Sequence, residues 1–294
     1  MSYLQDLNQQ FALGDSLRFA EHPSGLLIGT VQTTHCRAQF FLQGAHVTNF
    51  QPSHTPIPIL FMSDAALFKP QHPIRGGIPI CFPWFSSHPH APSLPAHGWA
   101  RTSTWQLLSS SQTQEQLEVA LSLDHDDWQL TYELKFGSTL QAALSVKNGA
   151  AMPRAFELAL HTYFNIGNIA QTHISGDLNQ LPFLDQLTGI VQPPNPASIN
   201  FTAETDRIYE GSAANIQLHD LANQRTIQLY SQNSLSTIVW NPWIAKSIRM
   251  PDFGDNEYLR MCCIETANVR QNQIDLAPNN SHITSLEISV SHQT

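Results

Sequence analysis

Apolar and polar positions alternate along this chain in short stretches separated by Gly, Pro, Asn, Asp and Ser, a pattern of strands and tight connections. Strands are predicted at residues 26–28, 38–42 and 44–50. A connection carrying Pro52, Pro56 and Pro58 follows, then an apolar triplet at 59–61. Residues 105–108, 117–123, 128–136 and 140–147 read as a meander. A further strand, 156–164, stops at the turn signal Asn165-Ile166-Gly167-Asn168. The last strands are predicted at 216–219, 226–230, 237–240, 260–265 and 283–290. Residues 1–20 are polar and weakly periodic, consistent with a short helix or an edge segment. No segment shows sustained helical periodicity, and no internal repeat has a fixed period. Residues 62–101 and 171–215 read as loop-rich, and a connection of that length in a compact domain usually carries function. Many short strands at close spacing imply an all-β fold, a mostly antiparallel sandwich.

Composition narrows this picture. A chain of 294 residues suits two average domains, yet sandwiches reach this size as one unit. No composition shift marks a boundary, so one sandwich domain over 1–294 is expected, with 1–24 as a peripheral segment. Hydrophobic residues are 41% and charged residues 13%, which suits a globular chain with Ser, Thr, Gln and Asn on its surface. With 14 basic residues and a net charge of -9, the chain lacks the clustered Lys and Arg that nucleic acid demands. Cys36, Cys81, Cys262 and Cys263 form no CxxC pair, so they suggest free thiols in a reducing compartment rather than a zinc site or disulfides. The start lacks the basic-then-apolar pattern of a signal peptide, and no apolar run would span a bilayer. A soluble, cytoplasmic protein without membrane partners is expected.

Two ionisable residues stand out against this background. His161 sits in Ala159-Leu160-His161-Thr162-Tyr163-Phe164, and Glu265 in Met261-Cys262-Cys263-Ile264-Glu265-Thr266-Ala267. Each lies in a run apolar enough to be a buried strand, where burial shifts a pKa. His161 reads equally as a core histidine satisfied by a carbonyl. Glu265 reads also as the solvent-facing member of an alternating strand, but that would place Met261 and Cys263 on the wet face too. A histidine and a carboxylate meeting in one pocket would form an acid–base pair. Mutual attraction would raise the His pKa and lower that of Glu. Arg75 precedes Gly76-Gly77, and Arg101 ends His97-Gly98-Trp99-Ala100-Arg101; each is either an anion ligand or a brace for loop carbonyls. His97 shares the ambiguity of His161. Asp206 is a sugar-hydroxyl ligand or a turn cap, and Trp84, Trp99, Trp240 and Trp243 are stacking faces or core. No GxGxxG, Walker loop, GxSxG, HExxH or Cys–His signature is found. On residues alone the chain is a β-sandwich with a candidate acid–base pocket and a candidate anion clamp.

Taken together, these blocks resemble a family. Arg75-Gly76-Gly77-Ile78-Pro79-Ile80-Cys81-Phe82-Pro83-Trp84-Phe85 and Pro95-Ala96-His97-Gly98-Trp99-Ala100-Arg101-Thr102 resemble a loop region of the glucose-6-phosphate 1-epimerases, the hexose-6-phosphate mutarotases of the aldose 1-epimerase superfamily. The His161 block, Glu204-Thr205-Asp206-Arg207-Ile208-Tyr209, Val239-Trp240-Asn241-Pro242-Trp243 and the Glu265 block continue the likeness in order. The resemblance implies a galactose-mutarotase-like β-supersandwich with no metal or organic cofactor, acting as a monomer on a small sugar phosphate. It implies His161 as catalytic acid and Glu265 as base, with Arg75 and Arg101 on the 6-phosphate and His97 and Asp206 on the sugar. A non-catalytic sugar-phosphate module on the same fold is the alternative. Hydrolysis is disfavoured, since one His–Glu pair lacks the two carboxylates of ordinary glycosidases.

Overall fold

The structure is a computed structural model and describes residues 2–88 and 90–292. The clearest period-two element is Trp128–Phe136, whose Trp128, Leu130, Tyr132, Leu134 and Phe136 are buried while the residues between them are not. Its neighbours, Leu117–His125 and Leu140–Asn148, alternate in the same way, and tight turns fix their registers. They belong to a nine-stranded sheet that runs Ile199–Asn200, Thr172–Gly176, Asn215–Asp220, Arg225–Gln232, Ser281–His292, Leu140–Asn148, Trp128–Phe136, Leu117–His125 and Gln106–Gln112.

An eight-stranded sheet packs across this core. Its order is Ile190–Gln192, Phe183–Asp185, Thr205–Glu210, Ser236–Asn241, Met261–Asn268, Leu158–Leu160 and Ile80–Cys81, with Tyr163–Asn165 also paired to Met261–Asn268. Every ladder between these strands is antiparallel. The central strand, Met261–Asn268, is buried along its whole length because both faces are covered. Cys262 and Ile264 join the core shared with the nine-stranded sheet, whereas Met261, Cys263 and Ala267 join a second cluster with Phe61, Trp240, Phe253 and Tyr258. Glu265 therefore does share a face with Met261 and Cys263. That face is dry because loops and a helix roof it, a third possibility beyond the wet strand considered from sequence.

A four-stranded sheet of Leu17–Glu21, Leu27–Gln32, Cys36–Phe41 and His46–Pro52 precedes these two. Ahead of it, Tyr3–Phe11 is helical, started by a capping box in which Ser2 and Gln5 exchange side-chain and backbone bonds. All four cysteines are free and buried. No helix among the described residues is long and apolar enough to cross a membrane.

Three local expectations need correction. Trp243–Arg249 is an α-helix, too short for its periodicity to register in sequence. The stretch 171–215 contains five strands, and Asp206 lies on one of them, Thr205–Glu210, rather than in a loop. The single strand expected at 156–164 is broken into Arg154–Phe156, Leu158–Leu160 and Tyr163–Asn165.

Candidate active site

The break before Tyr163 builds the site. Thr162 N–H donates to Leu160 O at 2.9 Å, a three-residue turn around His161. Leu158–Leu160 and Tyr163–Asn165 nevertheless keep one register against Met261–Asn268, with Leu160 opposite Thr266 and Tyr163 opposite Cys263. That register sets His161 opposite Glu265, as direct cross-strand neighbours. Ile238 lies beyond Glu265 in the same row. Two residues along, Tyr163, Cys263, Trp240 and Asp206 form the next row. Two adjacent rows of one antiparallel sheet thus supply the site floor.

Loops complete the walls. Gly77 has φ +62°, and a Cβ there would lie 2.2 Å from Val47 O, so only glycine lets the loop carrying Arg75 lie this close to the sheet. His46 donates from Nε2 to Gly76 O at 2.7 Å and ties the same loop down. Gly98, at φ +74°, presses the 97–101 segment onto Phe82. Ser86 N–H donates to His97 Nδ1 at 3.2 Å, which leaves the neutral His97 ring with its proton on Nε2. Glu157 accepts from Phe85 N–H at 2.8 Å and from Arg270 N–H, holding the loop end against the strand.

Together these elements enclose a cavity of about 340 Å³ lined by Arg75, Phe85, Ser86, His97, His161, Tyr163, Gln186, Asp206, Ile238, Trp240, Lys246, Met250 and Glu265. Two larger clefts, of about 490 and 530 Å³, lie elsewhere, and neither is lined by a carboxylate. The smaller cavity holds the convergent polar groups that mark a ligand site. His161 Nε2 stands 3.3 Å from Glu265 Oε1, with the side chains 10% and 1% exposed. His161 Nδ1 and Glu265 Oε2 are buried without a hydrogen-bond partner. Leaving such groups unsatisfied costs about 1–3 kcal/mol each, which a polyhydroxy ligand could recover.

Electrostatics here differ from expectation. Burial pushes His161 well below its ordinary range and Glu265 well above its own. Mutual attraction was expected to shift both the other way, but desolvation of two groups this deep outweighs it. Both directions favour a pair that holds one proton between its members. His97 is lowered to about 3, by burial first and then by Arg101 and Arg75, so it is a neutral donor. Asp206 is raised by burial, partly offset by Gln186 Nε2 on its Oδ1 and by Lys246, whose Nζ lies 3.6 Å from Oδ2.

Five of the six residues singled out from sequence line the cavity: Arg75, His97, His161, Asp206 and Glu265. Arg101 does not; it stands behind the wall, with Nη2 donating to Ala96 O at 2.8 Å and Nε buried without a partner. Of the four tryptophans, Trp240 alone is on the wall. Trp243 packs on Tyr258, Trp99 on Phe82 and Trp84 on His88. Tyr163, Gln186 and Lys246 were missed. Tyr163 had a signal, since a strand residue two beyond His161 shares its face. Lys246 and Gln186 had none, because an undetected helix and hairpin bring them in.

The pattern of the family described as aldose 1-epimerase matches residues 28–289. A protein of Escherichia coli K12 called "Putative glucose-6-phosphate 1-epimerase" is 33% identical over 249 residues, covering 81% of this chain and 81% of that protein. One of the same name from Salmonella typhimurium LT2 is 32% identical over 240 residues, 78% of this chain and 79% of that protein. A crystal structure described as a "putative mutarotase (YeaD) from Salmonella typhimurium" superposes with a TM-score of 0.89 at 26% identity, covering 99% of this chain and 100% of that one. The chain belongs to the aldose 1-epimerase family, and its activity is the interconversion of sugar anomers.

Proposed function

We propose that the protein interconverts the α and β anomers of a hexose 6-phosphate, glucose 6-phosphate before others, with Glu265 as base and His161 as acid. The observation that carries this reading is the facing pair, 3.3 Å apart on the floor of a sugar-sized cavity. A pyranose changes anomer by opening to the aldehyde and closing on its other face. Opening removes the proton of the C1 hydroxyl and delivers one to the ring oxygen. Glu265 as carboxylate takes the first and His161 as imidazolium gives the second. In the resting site burial favours neutral histidine and protonated glutamate, so Glu265 first passes its proton to His161 across their 3.3 Å contact, and ring opening then returns the pair to that neutral arrangement. Rotation about C1–C2 and reversal of both transfers close the other anomer.

His97, through Nε2–H, and Asp206 hold sugar hydroxyls, and Trp240 offers a stacking face. Arg75 on the wall, with Arg101 behind it, provides the positive field for the 6-phosphate. That group lies away from C1, so its binding energy positions the ring. The names of the relatives at about one-third identity support the phosphate assignment.

Exchange NMR between α- and β-glucose 6-phosphate tests the reading. Glu265→Gln should lower turnover by about 10²–10⁴-fold while sparing binding. Undiminished exchange in this variant removes Glu265 from the base role. Arg75→Ala should cost the phosphorylated sugar more than glucose, and equal losses on both refute the phosphate clamp.

A further inference from the structure

The mechanism leaves unused a buried thiol beside its acid–base pair. Cys263 precedes Glu265 by two residues on the same strand, so its thiol lies on the cavity side of the sheet, just beneath the wall. Among the described residues, His161, Cys263 and Glu265 form the one group of three metal-ligating side chains whose ligand atoms all lie within 4.8 Å of one another. All three are buried. A tetrahedral ion bound at about 2.0–2.3 Å sets its ligand atoms roughly 3.3–3.7 Å apart, close to the His161–Glu265 spacing of 3.3 Å.

Charge and donor type agree with the spacing. A thiolate and a carboxylate together cancel the charge of a divalent ion, so the ion enters this dry site as a neutral assembly. Sulfur with imidazole and one carboxylate selects zinc or cadmium over magnesium and calcium. Glu265 Oε2 and His161 Nδ1, both buried without partners, show that the cluster's polar groups are not already satisfied within the protein.

We propose that His161, Cys263 and Glu265 form a binding site for a thiophilic divalent cation, Zn²⁺ or Cd²⁺, which switches the protein off by occupying its acid–base pair. The ion enters through the cavity that His161 and Glu265 line, and its fourth position faces that cavity and takes water. Bonding to Cys263 Sγ releases the thiol proton to solvent, as does the proton shared by His161 and Glu265; no electrons are transferred. Loss of activity rests on the acid–base roles proposed above, whereas binding of the ion does not.

The test titrates full-length, chelator-treated protein with Cd²⁺ and Zn²⁺. One cadmium per chain should raise an ultraviolet cadmium–thiolate charge-transfer band, and zinc should suppress anomer exchange reversibly, with recovery on adding chelator. Cys263→Ser should remove the band and weaken zinc inhibition at least tenfold, measured against the variant's own metal-free exchange rate. Cys36→Ser, a change far from the site, should leave both intact. A band that survives in Cys263→Ser overturns the proposal. Should that variant fail to fold, X-ray absorption of the zinc-loaded wild type decides. One sulfur donor among nitrogen and oxygen supports the site, and no sulfur refutes it. A cadmium band without any anomer exchange in the wild type would keep the metal site and discard the epimerase reading.

Discussion

Arg75 spends most of its guanidinium on the protein itself. Nε and Nη2 donate to Asp252 at 3.2 and 3.3 Å, and Nη1 donates to Tyr163 Oη at 3.0 Å. Of five N–H donors, two remain for a ligand. Asp252 therefore holds the fork in place and also competes with any anion for its charge. Asp252→Asn keeps the shape, removes the competing charge and should lower KM for glucose 6-phosphate about fivefold, the worth of a partly exposed ion pair. Free glucose should be unaffected, and a matching change on both sugars would show that Asp252 acts only on loop structure. His46 makes a second residue-scale test. It is fully buried, and burial lowers it from 6.5 to about 4 despite its bond to Gly76. The unfolded chain then binds more protons than the native one between those values, so stability falls as pH drops from 6.5 toward 4. The loss from this group alone is about 3 kcal/mol. Urea midpoints at pH 6.5 and 4.5 should show a steeper fall in the parent than in His46→Asn.

Strands and loops were not equally legible. The meander through Trp128–Phe136 was readable because one of its faces is core and the other is not, which writes a period of two into the sequence. His161 and Glu265 were readable because an ionisable group in an apolar run is costly to bury without a use. Their pairing was not, since it depends on a register kept across a break that no residue type announces. Strands such as Phe183–Asp185 and Ile199–Asn200 are two or three residues long, below any periodic signal, and the sheet alone holds them extended. Arg101 carried a strong motif, yet the same loop turns its Nη2 onto Ala96 rather than onto the cavity wall. The loop that sets Arg75 can be tested as an element. In Gly77→Ala the new Cβ meets Val47 O at 2.2 Å in a left-handed conformation. The loop must move, with a loss of roughly 2–4 kcal/mol by thermal unfolding and a raised KM for the phosphorylated sugar. Unaltered KM with lowered stability would separate the loop's fold from its role at the cavity.

At the scale of the whole molecule, one buried ion pair joins the parts that position the site. Asp220 and Arg225, at facing ends of adjacent strands in the nine-stranded sheet, are fully buried and 3.0 Å apart. Arg225 also donates to Ile57 O at 3.1 Å and to Asn165 O at 2.6 Å, and Asp220 accepts from Gly167 N–H at 3.0 Å. The pair thus clamps the connection leaving the N-terminal sheet to the turn that ends Tyr163–Asn165, the strand just beyond His161. Removing one member leaves the other charged and buried, so Asp220→Ala should cost about 3–5 kcal/mol. Breaking the half-exposed surface pair Lys135–Glu118, 3.7 Å apart, by Lys135→Ala should change stability by no more than about 0.5 kcal/mol. Because the clamp holds the turn rather than the chemistry, the folded fraction of Asp220→Ala should keep its Glu265-dependent exchange but with a raised KM. If that variant unfolds as late in urea as the Lys135→Ala control, the pair is not what ties the sheets to the site strand, and the bonds from Arg225 to the connection and the turn are incidental.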